Sequence, residues 1–168
     1  MLRKGAAKRS DLTLAGIRYL SRLIPPNRIL AVFTDEEFCS CLTELGVHMI
    51  YSPNKTKLAT LYSESRLLLF FSDSEGFGLP PLEAMGCGCV PLCRDSNGPR
   101  IYMKSRLQKL LFKPDVSVYD ICDHALNLLA DKNELASLAE HSEDIFFKGL
   151  AASKADRIAT IRSIKGKG

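Results

Sequence analysis

The sequence has no tryptophan and only three histidines, His48, His124 and His141, dispersed and without an acid partner close by in the chain. They are expected to be surface or packed residues, not a catalytic or metal-binding cluster. Long apolar runs are also missing. The longest, Leu67 to Phe71, falls far short of the ~20 residues that a membrane-crossing helix requires. No CxxC pair is present. The spacings Cys39-x-Cys41 and Cys87-x-Cys89 are not those of structural zinc sites, and no histidine lies close in sequence to either pair. The basic start "MLRKGAAKR" is followed by "SDLTLAG" and not by an apolar stretch, which argues against a signal peptide. Cys39, Cys41, Cys87, Cys89, Cys93 and Cys122 are therefore expected to be reduced, mostly buried thiols that behave as small hydrophobes in a cytoplasmic protein.

What is present describes one globular unit. The 168 residues, 46% apolar and 25% charged, suffice for one core without disulfide or metal staples. The net charge of +4 conceals an asymmetry: residues 1–28 hold seven Lys/Arg against one acid, and residues 148–168 six against one. The part between them sums to −7. Basic ends can meet phosphate, nucleic acid or an anionic membrane surface, or can simply be solvated.

Short apolar runs alternate with helical periodicity. "DLTLAGIRYLSRLI" spaces Leu12, Ala15, Tyr19, Leu20 and Leu23 at helical intervals before Pro25-Pro26. "RILAVF" (28–33), "VHMIY" (47–51), "LLLFF" (67–71) and "VPLC" (90–93) read as strands, with a further strand-like piece near Leu110 to Phe112. Helices are expected from Thr34 or Asp35 to about Leu45, within "NKTKLATLYSESR", over most of 117–148, and at about 152–164. Continuously apolar strands separated by helices predict an α/β domain, a doubly wound, mostly parallel sheet with helices on both faces. In such sheets, ligands bind beyond the carboxyl ends of the strands.

One strand end stands out: "SDSEGFGLPPLEAMGCGCVPLC", residues 72–93. Gly76 and Gly78 allow positive φ and close approach of another molecule to the backbone. Pro80 and Pro81 suit the first turn of a helix, with Glu83 in that turn and Gly86 and Gly88 ending it. A helix start of this kind favours an anion, and nearby carboxylates accept hydrogen bonds from vicinal hydroxyls. Together they describe a site for a sugar nucleotide. Asp73-x-Glu75 resembles a DxD metal motif only faintly, and no metal is expected.

"EGFGLPPLEAMGCGCVPL" closely resembles the signature of the family-four, "group 1" retaining glycosyltransferases, whose two-Rossmann architecture is called GT-B. Glu75 and Glu83 match that family's pair of glutamates eight positions apart. The resemblance implies a Rossmann-like domain over 1–168 that binds a nucleotide-diphosphate sugar, without a metal or other cofactor. It implies that Glu83 binds the ribose hydroxyls, while Glu75 contacts the transferred sugar and stabilises charge at its anomeric carbon. The backbone N–H groups of Phe77, Gly78 and Leu79, with Gly76 beside them, would meet sugar hydroxyls and phosphate. Lys4 would neutralise the diphosphate leaving group, and Tyr51 to Asn54 would line the base pocket.

The family's acceptor-binding domain has no counterpart in residues 1–168, so the chain reads as the donor-binding half, weakly active or inactive alone. "DSNGPR" departs from the family pattern at Arg100, which is expected to be a surface residue. The tail "ASKADRIATIRSIKGKG" sets Ile158, Ile161 and Ile164 among basic residues. It is expected either to pack as a terminal helix or to touch the inner face of a membrane. The expected partner is a nucleotide sugar, with no nucleic acid; the acceptor would be a glycan or a lipid-linked molecule. Alternatives remain: a nucleotide-sugar binding module without catalysis, or an epimerase or phosphorylase of the same fold.

Overall fold

The computed structural model describes the backbone of Leu2 and of residues 6–165, and the side chains of Leu2 and of residues 7–154. After a short 3₁₀ turn, α1 (Ser10–Leu20) lays Thr13, Gly16, Ile17 and Leu20 along one buried stripe at helical spacing. Leu23, expected on that stripe, lies past the helix end and is exposed. Then come β1 (Leu30–Phe33) and β2 (His48–Tyr51), joined by a 3₁₀ turn at Glu36–Phe38 and the short α2 (Cys39–Glu44). The helix expected from Thr34 or Asp35 is thus two pieces, ended by Gly46 at φ +65°. Next, α3 (Lys55–Glu64), capped by Asn54 Oδ1 on the Lys57 N–H, leads to β3 (Leu67–Phe70).

The second half runs through α4 (Leu79–Met85), β4 (Val90–Arg94) and the short β5 (Leu111–Phe112), then α5 (Val118–Ala130) and α6 (Lys132–Lys165). The expected break between 148 and 152 does not occur. Gly149 is exposed inside α6, and an isolated exposed glycine costs a helix only about 1 kcal/mol, too little to end it. The Ile158, Ile161 and Ile164 side chains lie outside the described ones.

Every strand pairing is parallel, with helices on both sides of the sheet, as the apolar strands require. The sheet nevertheless comes in two pieces, β1–β2 and β3–β4–β5. β4, held between two partners, is buried throughout, whereas Leu67, Leu68 and Leu69 of β3 are only half-buried. "LLLFF" has the composition of a fully buried strand, but among the described residues it pairs on one side only, with β4. Leu2, almost fully buried, forms a parallel bridge with Phe33; its N–H donates to Val32 O at 2.8 Å and its carbonyl accepts from Thr34 N–H.

The core joins both pieces and includes Leu92, Cys93, Leu107, Leu110, Ile121, Cys122 and Leu138. Cys89, Cys93 and Cys122 are buried, Cys41 and Cys87 partly so, and Cys39 is exposed. Burial pushes the Cys89 and Cys122 thiols up to about 12, so both pack as neutral groups.

Contact between α4 and α6 depends on the absence of a side chain at Gly86: a Cβ there would lie 2.7 Å from the Phe146 ring. Gly86→Ala should therefore destabilise the chain by about 1–3 kcal/mol, the usual cost of overpacking. Urea unfolding measures this, and Phe146→Leu in the same chain should recover much of the loss.

Candidate functional site

β3 ends at Phe70, and the chain passes through the buried Phe71 and Ser72 to a loop at the rim of the sheet. Ser72 Oγ donates to Ala7 O at 2.9 Å and the Asp73 N–H donates to the same carbonyl at 2.8 Å. These bonds tie the loop to the segment that precedes α1. From this segment Lys8 reaches Glu75, its Nζ 2.8 Å from Oε1; the Glu75 side chain is only 15% exposed. A half-buried carboxylate with one cation on it is held in a single orientation.

The rest of the loop is fixed by the turn that follows β4. Glu75 N–H donates to Ser96 O, Gly98 N–H donates to Glu75 O, and Glu75 forms a parallel bridge with Asn97. Gly98 lies directly under Phe77, where a Cβ would come within 2.6 Å of the Phe77 carbonyl carbon. Gly78 adopts φ +77°, and the buried Tyr102 hydroxyl donates to its carbonyl at 2.6 Å. Burial raises the Tyr102 hydroxyl well above the ordinary phenol range, so it remains a donor. Phe77 stacks obliquely on Tyr102 at 5.6 Å, yet Phe77 and Leu79 stay exposed. The result is a rigid turn with an open outer surface.

Several expectations change here. Gly76 has no positive φ, and open space surrounds it; only Gly78 needs the left-handed region. Glu83 does not sit in the first turn of α4, because the helix begins at Leu79 and the first turn has no acid. It is exposed one turn further on, beside Cys87, whose thiol is raised by burial and then by the Glu83 charge. The two prolines also limit the anion site. Pro80 and Pro81 have no N–H, so Leu79 is the first helical residue able to donate from the opening of α4. Positive charge near the turn comes instead from side chains.

Lys4 lies outside the described residues. Among the described residues Lys8, not expected at the site, reaches Glu75. Its signal is weak: a lysine two residues before the start of α1, with no motif around it. Asp73 is held by arginines. Its carboxylate takes Arg9 at 2.9 Å and the buried Arg94 at 2.8 Å. Arg9 in turn holds Asp11, whose carboxyl it keeps below the usual range. Arg100 is exposed and pairs with Asp95, as a surface arginine can. Tyr51, Ser52 and Asn54 are exposed after β2, with Ser52 at φ +42°. Among the described residues, no group of three His, Cys, Asp or Glu side chains gathers around one point.

Comparison with known proteins decides the family. The model for "Glycosyl transferases group 1" matches residues 36–144. The chain belongs to the group 1 glycosyltransferases. A stretch of 38 residues is 53% identical to a protein of Sulfolobus islandicus filamentous virus (isolate Iceland/Hveragerdi) assigned as glycosyltransferase 41; it covers 23% of this chain and 12% of that protein. Among solved structures, S. aureus TarM, crystallised with UDP, alpha-GlcNAc-glycerol and fondaparinux, superposes with a TM-score of 0.71 at 16% identity over 87% of this chain. The catalytic domain of cholesterol-alpha-glucosyltransferase from Helicobacter pylori gives 0.69 at 17% identity, covering 88% of this chain and 94% of that one. These likenesses bear out the expected Rossmann-like, GT-B type fold. The chain spans 31% of the TarM chain.

The two glycines of the turn should respond differently to substitution. Gly98→Ala should cost about 2–3 kcal/mol, since the Phe77 backbone cannot yield. Gly76→Ala should stay within about 0.5 kcal/mol, as at an open surface position. Paired urea titrations compare them; equal effects would mean that the turn is not packed on Gly98.

Proposed function

We propose that residues 72–88 form the donor site of a glycosyltransferase that moves a sugar from a nucleotide diphosphate to an acceptor. The observation that carries this reading is the Lys8–Glu75 pair at 2.8 Å, set against an exposed, rigid Gly-Phe-Gly turn at a strand end. Transfer needs a cation for the departing diphosphate and a carboxylate for the sugar. The pair brings both to one place, and the turn offers backbone N–H groups between them.

In this reading Glu75 meets the transferred sugar, and its charge stabilises the positive anomeric carbon. The N–H groups of Phe77, Gly78 and Leu79, with Gly76 leaving room, meet sugar hydroxyls and phosphate oxygens. Lys4 keeps the role of neutralising the diphosphate, and Lys8, paired with Glu75, adds a second cation that can turn to the leaving group as it develops charge. Glu83, exposed one turn into α4, accepts from the vicinal hydroxyls of the ribose, a geometry suited to a carboxylate. Base recognition falls to the exposed loop at Tyr51 to Asn54. The transfer retains anomeric configuration and proceeds without a metal, these lysines supplying the charge. UDP in the TarM crystal supports a nucleotide donor for this fold. The acceptor half of the cleft comes from polypeptide outside these residues, so residues 1–168 alone bind donor and transfer little. Among the described residues no helix is long and apolar enough to cross a membrane.

Calorimetric titration with UDP, GDP and ADP and their sugars tests the assignment. Glu83→Ala should weaken binding of the preferred nucleotide about 10- to 100-fold, the loss of a charge-assisted pair of bonds. Lys8→Ala should reduce the preference for diphosphate over nucleoside. Glu75→Gln should lower affinity for the nucleotide sugar while leaving the free nucleotide nearly unchanged. Wild-type binding in both Glu83→Ala and Lys8→Ala, in folded protein, would overturn the reading.

A further inference from the structure

The turn after β4 holds a strained residue. Asn97 adopts φ +71° and ψ −58°, the angles of the rare form of the γ-turn. The hydrogen bond of that turn is present, Gly98 N–H donating to Ser96 O at 3.0 Å. Arg9, at φ +47° and ψ +51°, lies in the ordinary left-handed well that asparagine also tolerates. Asn97 lies outside that well, where a Cβ strains the backbone and a glycine would not.

The strain is imposed from both sides. Ser96 is fully buried, and its carbonyl also accepts from Glu75 N–H at 3.0 Å. Gly98 is pinned beneath the Phe77 backbone, and its N–H is shared with Glu75 O at 3.2 Å. Between these fixed neighbours the chain must turn outward within one residue, and Asn97 N–H reaches Asp95 Oδ1 at 3.4 Å.

The strained position presents a side chain. Asn97 is exposed, while the residues on either side of it are buried. It forms a parallel bridge with Glu75, which sets the two backbones about 5 Å apart. Among the described residues its carboxamide has no hydrogen-bond partner. No bond within the described part of the molecule therefore accounts for a side chain at this place, whereas a ligand at Glu75 would. Strained residues of this kind persist where the surroundings fix them, and they gather at binding sites. The chemistry is complementary as well. Glu75 as a carboxylate only accepts and Lys8 only donates, but a carboxamide does both. A sugar hydroxyl also does both, so it can donate to Glu75 while accepting from Asn97.

We propose that Asn97 is a specificity-determining residue of the donor site, its carboxamide hydrogen-bonding a hydroxyl of the transferred sugar beside Glu75. The inference rests on the donor-site reading given above and assigns to this turn the recognition of the sugar alone. Asn97 should therefore matter for the nucleotide sugar and not for the free nucleotide.

Two variants of the 168-residue chain test this, Asn97→Gly and Asn97→Ala, titrated with UDP-glucose, GDP-mannose and ADP-glucose and with UDP, GDP and ADP. Asn97→Gly relieves the backbone, so its urea midpoint should rise. Its affinity for the nucleotide sugar that the chain binds best should nevertheless fall about ten-fold, the loss of one hydrogen bond to a ligand. Affinity for the matching free nucleotide should stay within about two-fold of wild type, since that bond is not made to it. Asn97→Ala keeps the restricted backbone and removes only the carboxamide, and it should lose the same affinity. A side chain that served only the fold would give a lower midpoint in Asn97→Gly, with sugar and nucleotide affected alike. The proposal fails if either variant binds the nucleotide sugar as wild type does, if the free nucleotide is lost equally, or if Asn97→Gly lowers the midpoint. Wild-type protein that binds none of these ligands would overturn the donor-site reading and this inference with it. Nucleotide binding that Glu83→Ala weakens, with both Asn97 variants unaffected, would overturn this inference alone.

Discussion

The site depends on one contact between loops: the turn after β4 packs directly beneath the turn after β3. Gly98 lies against the Phe77 backbone, and the Tyr102 hydroxyl holds the Gly78 carbonyl. A left-handed residue followed by two prolines has few conformations in any case, and this contact selects one of them. The direction of α4, the exposure of Phe77 and Leu79, and the placing of Glu75 all follow from that selection. Rigidity here serves chemistry, because a donor sugar must be held to within a fraction of an ångström.

Electrostatics divides the loop into a structural part and a working part. Asp73 bridges Arg9 and the buried Arg94, and therefore locks the loop to α1 and β4. Glu75, two residues on, pairs with Lys8 among the described residues, and that lysine is itself one-third exposed. A carboxylate shared by two arginines is committed to the fold, whereas one held by a part-exposed lysine can exchange partners when a ligand arrives. The sequence string Asp73-x-Glu75 looks like one acidic motif. In three dimensions its members do different jobs.

Much of this was legible in the residues. Apolar runs located all five strands to within a few positions, because buried parallel strands carry a signal on both faces. The Gly-Phe-Gly turn and the helix after it were equally plain. Three things were not. Whether Gly76 or Gly78 takes the left-handed conformation depends on Tyr102, twenty-four residues from Gly78. The position of Glu83 in the second turn depends on where the left-handed residue stops the loop. Lys8 was invisible because its partner is sixty-seven residues away and its own neighbourhood is ordinary for a helix start. The first and the third concern long-range contacts, which local pattern does not encode.

The split sheet and the donor site are parts of one mechanical arrangement. The segment that bridges Phe33 at Leu2 leads to Ala7, whose carbonyl accepts from both Ser72 Oγ and Asp73 N–H. It then presents Lys8 to Glu75 and Arg9 to Asp73. This segment is anchored at its start by bonds to β1 and at its finish by bonds to the end of β3. Lys8 and Arg9 are thus placed by the backbone of their segment as well as by their own carboxylate partners, which is how a lysine sixty-seven residues away from Glu75 in sequence comes to stand beside it.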